Sequence, residues 1–167
     1  EQAERAETLV ISVATSARTV DPAFATDAAS DRLLRFISYG LVILDESGQP
    51  TPAAAQVTPN SDFTSWHVSL RPNQTFHNGD DLTATWVKEF YTRLKNPDTG
   101  SPFATILTNL TNINVLSSTE FVMQLSQPNP YFWSALTIPL ATPDGNGLAE
   151  YQLKQKDDTH IVLEKSN

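Results

Sequence analysis

The histidines of this 167-residue chain are candidates for chemistry, because imidazole binds metals and moves protons near neutral pH. There are three of them, His67, His77 and His160. No two lie at the short spacing of a metal-binding motif, and none has a carboxylate three or four residues away on a clear helix. The sequence therefore predicts no metal site, and histidines with surface or structural roles.

Motifs for covalent or nucleotide chemistry are also missing from the sequence. It has no cysteine, which excludes disulfides, cysteine zinc sites and a thiol nucleophile. It has neither a G-x-S-x-G elbow nor a glycine-rich nucleotide loop. Asp80 and Asp81 are adjacent carboxylates that could do acid–base work, but their position before a helix start is better explained by the helix dipole. We therefore expect no enzyme activity and no cofactor.

The stretch from Leu70 to Leu82 combines several local signals. A strand ends at Pro72, Asn78-Gly79 supplies a tight turn, and Thr83 can cap the following helix. Turn and cap chemistry explain these residues without a binding role, so this stretch is interpreted as scaffold.

The elements that would position any site begin with an apolar run over residues 8–14, which predicts a strand buried on both faces. Asp27 is a plausible N-cap for a helix that carries an apolar stripe, and Gly40 is placed to end that helix. A short strand over residues 40–45 follows. Beyond it, two prolines (Pro50 and Pro52) predict that regular structure does not follow immediately.

Further along, the alternation in residues 64–71 predicts a half-buried strand. Residues 83–95 show the clearest helical spacing. Two hairpins are predicted, one from residues 112–116 and 120–125, and one from residues 151–164. A short aromatic helix over residues 131–136 lies between them. This irregular interleaving favours an α/β (α+β-like) lobe in which helices pack on a mixed β-sheet.

Charge and hydropathy limit the classes of partner that this chain can bind. The formal net charge is −8, which argues against nucleic acid and against an anionic membrane surface. No apolar run is long enough to span a bilayer. The start, Glu1 to Glu7, is charged and polar rather than a signal peptide, so an exported form is expected to have lost its signal already.

The segment from Leu70 to Leu94 resembles the signature of the family-five extracellular solute-binding proteins, the oligopeptide, dipeptide and nickel receptors of ABC importers. That signature reads L-R-x-x-x-x-F-H-[DN]-G-x-x-L-[ST]-A-x-D-V, with a helix that ends in R-L. The matching residues here are Leu70-Arg71, Phe76-His77-Asn78-Gly79, Leu82-Thr83-Ala84, Val87 and Arg93-Leu94. Trp86 departs from the signature, because the family usually has Asp there.

Other segments match the family in the same order along the chain. They are Thr19-Val20-Asp21-Pro22, Tyr39-Gly40-Leu41-Val42, Pro50 to Ala55, Asn96 to Ala104, Gly145-Asn146-Gly147 with Tyr151 and Leu153, and Ile161 to Asn167. The extra residues Leu148-Ala149-Glu150 depart from the usual spacing. The resemblance covers almost the whole chain.

The resemblance implies a lobe of the periplasmic-binding-protein type. Residues 1–39 would be the first strand and helix of a hinge-proximal lobe, residues 40–140 the small lobe, and residues 141–167 a hairpin that returns to the hinge-proximal lobe. The large second lobe would be absent, and a helical stretch that the family carries between Pro139 and Gly145 is nearly gone. We therefore expect a truncated domain that does not bind its solute by itself.

For function, the resemblance implies the peptide-binding component of an importer: monomeric, exported to the periplasm, and docking on permease subunits. The predicted ligand-facing residues are the loop after the first strand and two residues of the small-lobe wall. They are Thr15, Ser16, Ala17, Arg18, Phe103 and Ile106. Two alternatives stay open: another solute, such as a nickel chelate, haem or an oligosaccharide, or a sensing or interaction domain with the same fold.

Overall fold

The computed structural model describes residues 7–166 of the chain. Residues 1–6 and 167, which include most of the charged start and the last residue of the tail motif, lie outside the described residues. The helices are α1 (Ala28–Ile37), α2 (Ala84–Lys95) and α3 (Trp133–Leu136), with 3₁₀ helices at Pro97–Thr99 and Pro102–Leu107. The strands are β1 (Thr8–Ser12), β2 (Val42–Leu44), β3 (Pro50–Pro52), β4 (Ala55–Pro59), β5 (Ser65–Leu70), β6 (Leu110–Val115), β7 (Glu120–Leu125), β8 (Tyr151–Lys156) and β9 (His160–Lys165).

In residues 7–166 the strands pair in three antiparallel sheets, ordered β1-β9-β8, β2-β3 and β4-β5-β7-β6. The expected lobe of helices packed on β-structure is confirmed. The expected mixed sheet differs in one respect, because every pairing in these sheets is antiparallel. Each paired strand in the two hairpins is joined to its neighbour by a short turn, which requires opposite strand directions.

The four-stranded sheet forms the base of the larger core. In β5, Trp66, Val68 and Leu70 are buried, as the alternation predicts. Helix α2 lies against this core through Val87, Phe90, Tyr91 and Leu94. Its N-cap is Thr83, whose side chain accepts a hydrogen bond from the Trp86 N–H at 3.1 Å.

A smaller core lies between α1 and the sheet β1-β9-β8. Leu33, Leu34 and Ile37 of α1 meet Ile161 and Leu163 of β9 in it. The pairing of β1 with β9 runs from Thr8 opposite Glu164 to Ser12 opposite His160. The first strand and the tail of the chain are therefore neighbours in one sheet.

The expectation that the first strand is buried on both faces is wrong. The strand ends at Ser12, and Val10 is 58 % exposed. Leu9 and Ile11 pack on the smaller core, so only one face of the strand is covered. Within the described residues β1 lies at the edge of its sheet, and an apolar sequence does not by itself supply a second layer.

The predicted role of Gly40 is also wrong. Helix α1 ends at Ile37, and Ser38 is its C-cap in an extended conformation. Gly40 is needed for close packing, because a Cβ there would lie 2.5 Å from the Leu136 carbonyl oxygen. The glycine therefore marks a close approach of two backbone segments rather than a helix end.

Pro50 and Pro52 form strand β3, contrary to the expectation that they exclude regular structure. The Gln49 carbonyl accepts a hydrogen bond from the Asp45 N–H, and the Ala53 N–H donates to the Leu41 carbonyl. The backbone groups that bond to β2 therefore belong to alternate residues of this segment. The two proline nitrogens then point away from the pairing. A proline is tolerated in a strand at such positions because no ladder hydrogen bond is lost.

Candidate ligand-facing site

The predicted ligand loop, Thr15 to Arg18, follows β1 and is fixed by the start of α1. The Ser30 hydroxyl oxygen accepts hydrogen bonds from the Arg18 N–H at 2.9 Å and from the Thr19 N–H at 3.1 Å. Ser30 is fully buried, so these bonds are shielded from water. Asp27 in turn caps α1 by accepting from the Ser30 N–H at 3.0 Å. One helix turn thus sets the backbone of the loop.

The loop is held from a second side by β8. Lys156 donates a hydrogen bond from its ammonium group to the carbonyl of Ala17, which is itself buried in the smaller core. Thr15 and Arg18 remain exposed and Ser16 is half-buried. The loop therefore presents hydroxyls and one guanidinium on a backbone held in place at both sides.

The other two predicted residues lie on the second 3₁₀ helix, where Phe103 packs against the larger core. Phe103 is half-buried and Ile106 is 40 % exposed. The Ser101 hydroxyl caps this helix by accepting from the Phe103 N–H, and it donates to the Ala23 carbonyl. Through this buried serine, the 3₁₀ helix is tied to the segment that follows the loop Thr15 to Arg18.

An ion pair joins the same segment to α2. Arg93 donates to both carboxylate oxygens of Asp21, with Nη1 2.9 Å from Oδ1. The Asp21 side chain is only 13 % exposed and that of Arg93 is 36 % exposed. These hydrogen bonds raise the pKa of Arg93 above its usual range, and the two-point geometry fixes orientation as well as distance.

Phe24 is a residue of this region that the sequence reasoning missed. It is 40 % exposed and follows Ala23, the residue that Ser101 holds. The signal that could have found it is an aromatic side chain in a short loop between the Asp21-Pro22 turn and the Asp27 cap. Phe24, Phe103 and Ile106 supply apolar surface on the two segments that the Ser101–Ala23 hydrogen bond joins.

The structure leaves the two predicted groups on different parts of the lobe. Ala17 is buried in the smaller core, whereas Phe103 packs against the larger one. Thr15 also lines a groove of about 410 Å³ between β1 and α1, whose walls are mostly apolar and include Arg32 and Phe36. This arrangement provides hydrogen-bonding groups, the guanidinium groups of Arg18 and Arg32, and apolar walls, which suit noncovalent binding.

The groups that could have done other chemistry are placed elsewhere. His67 lies 3.6 Å from Glu120 on the surface of the four-stranded sheet, and His160 lies beside Asp157 in the β8–β9 turn. Asp80 and Asp81 are exposed in the turn before α2, where the Asn78 amide donates to Asp80. Across residues 7–166, no group of three or more His, Cys, Asp or Glu side chains is arranged to hold a metal ion.

The Asp27 cap gives the loop's support a pH dependence. Hydrogen bonds from Ser30, first from its hydroxyl and then from its N–H, lower the pKa of Asp27. A lowered folded pKa means that the cap's contribution is complete above about pH 4, the ordinary pKa of Asp in an unfolded chain, and is lost as the pH falls further. We expect the difference in melting temperature between wild type and Asp27→Ser to shrink between about pH 7 and about pH 3.

Thermal melts across this range check the prediction, with Asp158→Ser as the matched control on an exposed turn carboxylate. A difference between wild type and Asp27→Ser that stays constant with pH would contradict the assigned cap.

No helix in the described part of the chain is long and apolar enough to cross a membrane. A lobe that presents a fixed loop and apolar walls has the features of a binding protein. The family model for bacterial extracellular solute-binding proteins, family 5 middle, matches residues 49–162, which is more than half of the chain. The chain belongs to this family.

Relatives and solved structures agree with this assignment. The chain is 29 % identical over 154 residues to the periplasmic oligopeptide-binding protein of Salmonella typhimurium, covering 82 % of this chain and 28 % of that protein. It is 28 % identical over 148 residues to a dipeptide-binding protein of Lactococcus lactis, covering 79 % of this chain and 27 % of that protein. The substrate-binding domain of an oligopeptide ABC transporter from Bacillus anthracis has the same fold, with a TM-score of 0.80 at 20 % identity over 94 % of this chain and 37 % of that one. The chain thus spans less than a third of the length of the two curated relatives.

Proposed function

We propose that this chain is part of a receptor that binds peptides outside the cytoplasmic membrane and delivers them to an ABC importer. The observation that carries the proposal is the family match over residues 49–162, together with relatives that are named for binding oligopeptides and dipeptides. In this role the protein works as a periplasmic, monomeric carrier rather than an enzyme, and it docks on the permease subunits.

The proposed division of the chain follows its two cores except at residues such as Ala23 and Leu148, which pack in the larger one. Of the residues assigned to the hinge-proximal part, 1–39 and 141–167, those that the structure describes lie around α1, and residues 40–140 are assigned to the small lobe. The hydrophobic residues support this division, because Leu33, Ile37, Ile161 and Leu163 cluster together while those of α2 and the four-stranded sheet form the other cluster.

The proposed ligand-facing surface consists of the loop Thr15 to Arg18 and an apolar wall. Peptide recognition combines hydrogen bonds to the ligand's backbone with pockets for its side chains. The loop offers fixed polar groups, and the wall offers Phe103 and Ile106, to which we add Phe24. All three have exposed or half-buried rings or methyl groups next to segments held by hydrogen bonds.

The first test identifies the solute of the full-length protein by mass spectrometry of the ligand that co-purifies with it. Peptides are the expected result. A nickel chelate, haem, an oligosaccharide or no bound solute would overturn the peptide assignment.

The second test probes the wall by calorimetry on the full-length protein with the peptide found. Ile106→Ser is expected to weaken binding about fivefold, because covering two-fifths of an isoleucine contributes about 1 kcal/mol. The matched control is Leu116→Ser on the β6–β7 turn, 54 % exposed and outside the proposed wall. Equal affinities for the two variants would remove Ile106 from the site.

A further inference from the structure

Residues 140–149, which we call the joining segment, are one of the places where the chain passes between the two cores. Leu140 belongs to the larger core and Ala141 to the smaller one. The joining segment has no regular helix or strand of its own, so its path depends on the groups that bind its backbone.

His77 binds the joining segment from the small-lobe side. Its backbone N–H donates to the Gly147 carbonyl at 3.0 Å, and its ring nitrogen Nδ1 accepts from the Gly147 N–H at 3.0 Å. The other ring nitrogen, Nε2, lies 2.8 Å from the Ala149 carbonyl oxygen. Because Nδ1 accepts a hydrogen bond, the ring carries its proton on Nε2 and donates it to Ala149.

Ser38 binds the same segment from the α1 side. It is 2 % exposed, and its hydroxyl oxygen accepts from the Leu148 N–H at 3.2 Å while the hydroxyl donates to the Leu140 carbonyl. The Ala149 N–H donates to the Ile37 carbonyl at 3.0 Å. Both ends of the joining segment are thereby tied to the end of α1.

Gly147 lies between these two sides with no space for a side chain. A Cβ at this position would lie 2.0 Å from the Ile37 carbonyl oxygen. The backbone of the joining segment is therefore packed against α1 on one face and bonded to the imidazole of His77 on the other.

We propose that His77 is a positioning residue that sets the orientation of the small lobe against α1 and the sheet β1-β9-β8. The geometry assigns it this role because its ring accepts a hydrogen bond from the Gly147 N–H and donates one to the Ala149 carbonyl. The same segment is bonded to the Ser38 hydroxyl from the α1 side. Ala17 of the loop Thr15 to Arg18 belongs to the smaller core, and Phe103 of the wall packs against the larger one. The claim that His77 places the loop and the wall correctly for a ligand rests on the proposed function. The claim that His77 fixes the orientation of the small lobe does not.

The test uses the absence of cysteine from the chain, which permits two specific spin labels. Cysteines replace Lys88 on α2 and Val10 on β1, both exposed, and pulsed dipolar spectroscopy measures the distance distribution between the labels. Wild type is expected to give one narrow distribution. His77→Phe keeps the ring but leaves the Gly147 N–H and the Ala149 carbonyl unpaired, so the distribution is expected to become at least twofold wider.

His67→Phe, on the exposed face of β5, is the matched control and is expected to keep the narrow distribution. An unchanged width in His77→Phe would overturn the proposal. Should that variant fail to fold, nitrogen-15 spectra of the wild-type histidine rings decide, at about pH 8, where a free imidazole is neutral. A proton on Nε2 with Nδ1 bonded to the Gly147 amide supports the proposal, and a proton on Nδ1 overturns it.

The ligand consequence is measured separately in the full-length protein, where His77→Phe is expected to weaken solute binding although His77 is outside the proposed wall. Absence of any solute binding in wild type would sink the proposed function and leave the distance result standing. Broadening without a change in affinity would show that His77 does not position the ligand-facing groups.

Discussion

Replacing Trp66 with alanine is expected to lower the free energy of unfolding by about 4 to 5 kcal/mol, the upper part of the range for a buried aromatic residue. Trp66 is fully buried on β5, whose neighbours are β4 and β7. Its ring lies 4.8 Å from Trp133, edge to face, and 5.5 Å from Phe132, with centroids as the reference points. The indole N–H also donates to the Phe63 carbonyl at 3.3 Å. Truncation removes all of these interactions and leaves a cavity in the larger core.

Urea unfolding followed by circular dichroism measures this loss. Tyr131→Ala is the control, because Tyr131 is 80 % exposed and lies just before α3; its effect is expected within about 0.5 kcal/mol. Comparable losses for the two variants would contradict the packing of Trp66 against Phe132 and Trp133.

The second large effect concerns binding by the isolated chain. We expect this chain to show no measurable peptide binding by calorimetry at tens of micromolar protein, while the full-length protein binds. A receptor of two lobes encloses its ligand, and a single lobe leaves one face of the ligand in water. Each charged hydrogen bond that is not made forfeits about 1.5 to 3 kcal/mol, so two such losses move a micromolar complex to about millimolar or weaker.

The chain's own surface is consistent with this expectation. The proposed loop and wall are open to solvent, with Ile106 and Phe24 each 40 % exposed. Micromolar binding by the isolated chain would show that the small lobe and its neighbour carry the site alone. A loop variant, Arg18→Ala, would then locate that binding, with Arg71→Ala as a control on another exposed arginine.

The elements of this fold were largely predictable because their signals are local. Helix α2 begins after its Thr83 cap, β5 buries alternate residues, and the β8–β9 hairpin turns near Asp157. Each of these depends on hydrogen bonds or burial within a few residues of chain, which periodicity and cap chemistry report directly. The family signature is carried by the same stretch of sequence.

The predictions that were wrong concern residues whose role depends on a distant part of the chain. Gly40 has the residue type expected at a helix end. Its actual role is to leave space for the Leu136 carbonyl, which lies 96 residues further along the chain. The apolar run over residues 8–14 has the pattern of a strand buried on both faces. Whether a second layer covers the strand depends on distant parts of the chain, and only one face is covered. A sequence pattern shows which face of a helix or strand is apolar. Tertiary packing decides which other segment, if any, covers that face.

The sequence by itself determined the helices, the hairpins, the absence of reactive motifs and the family of this protein. Only the tertiary structure decided that Arg93 meets Asp21 and that His77 bonds to Gly147, pairs separated by 72 and 70 residues. The physical reason is that a cap or a strand face is set by neighbours along the chain. An ion pair between segments, or an imidazole bonded to a distant backbone, exists only after the cores have brought those segments together.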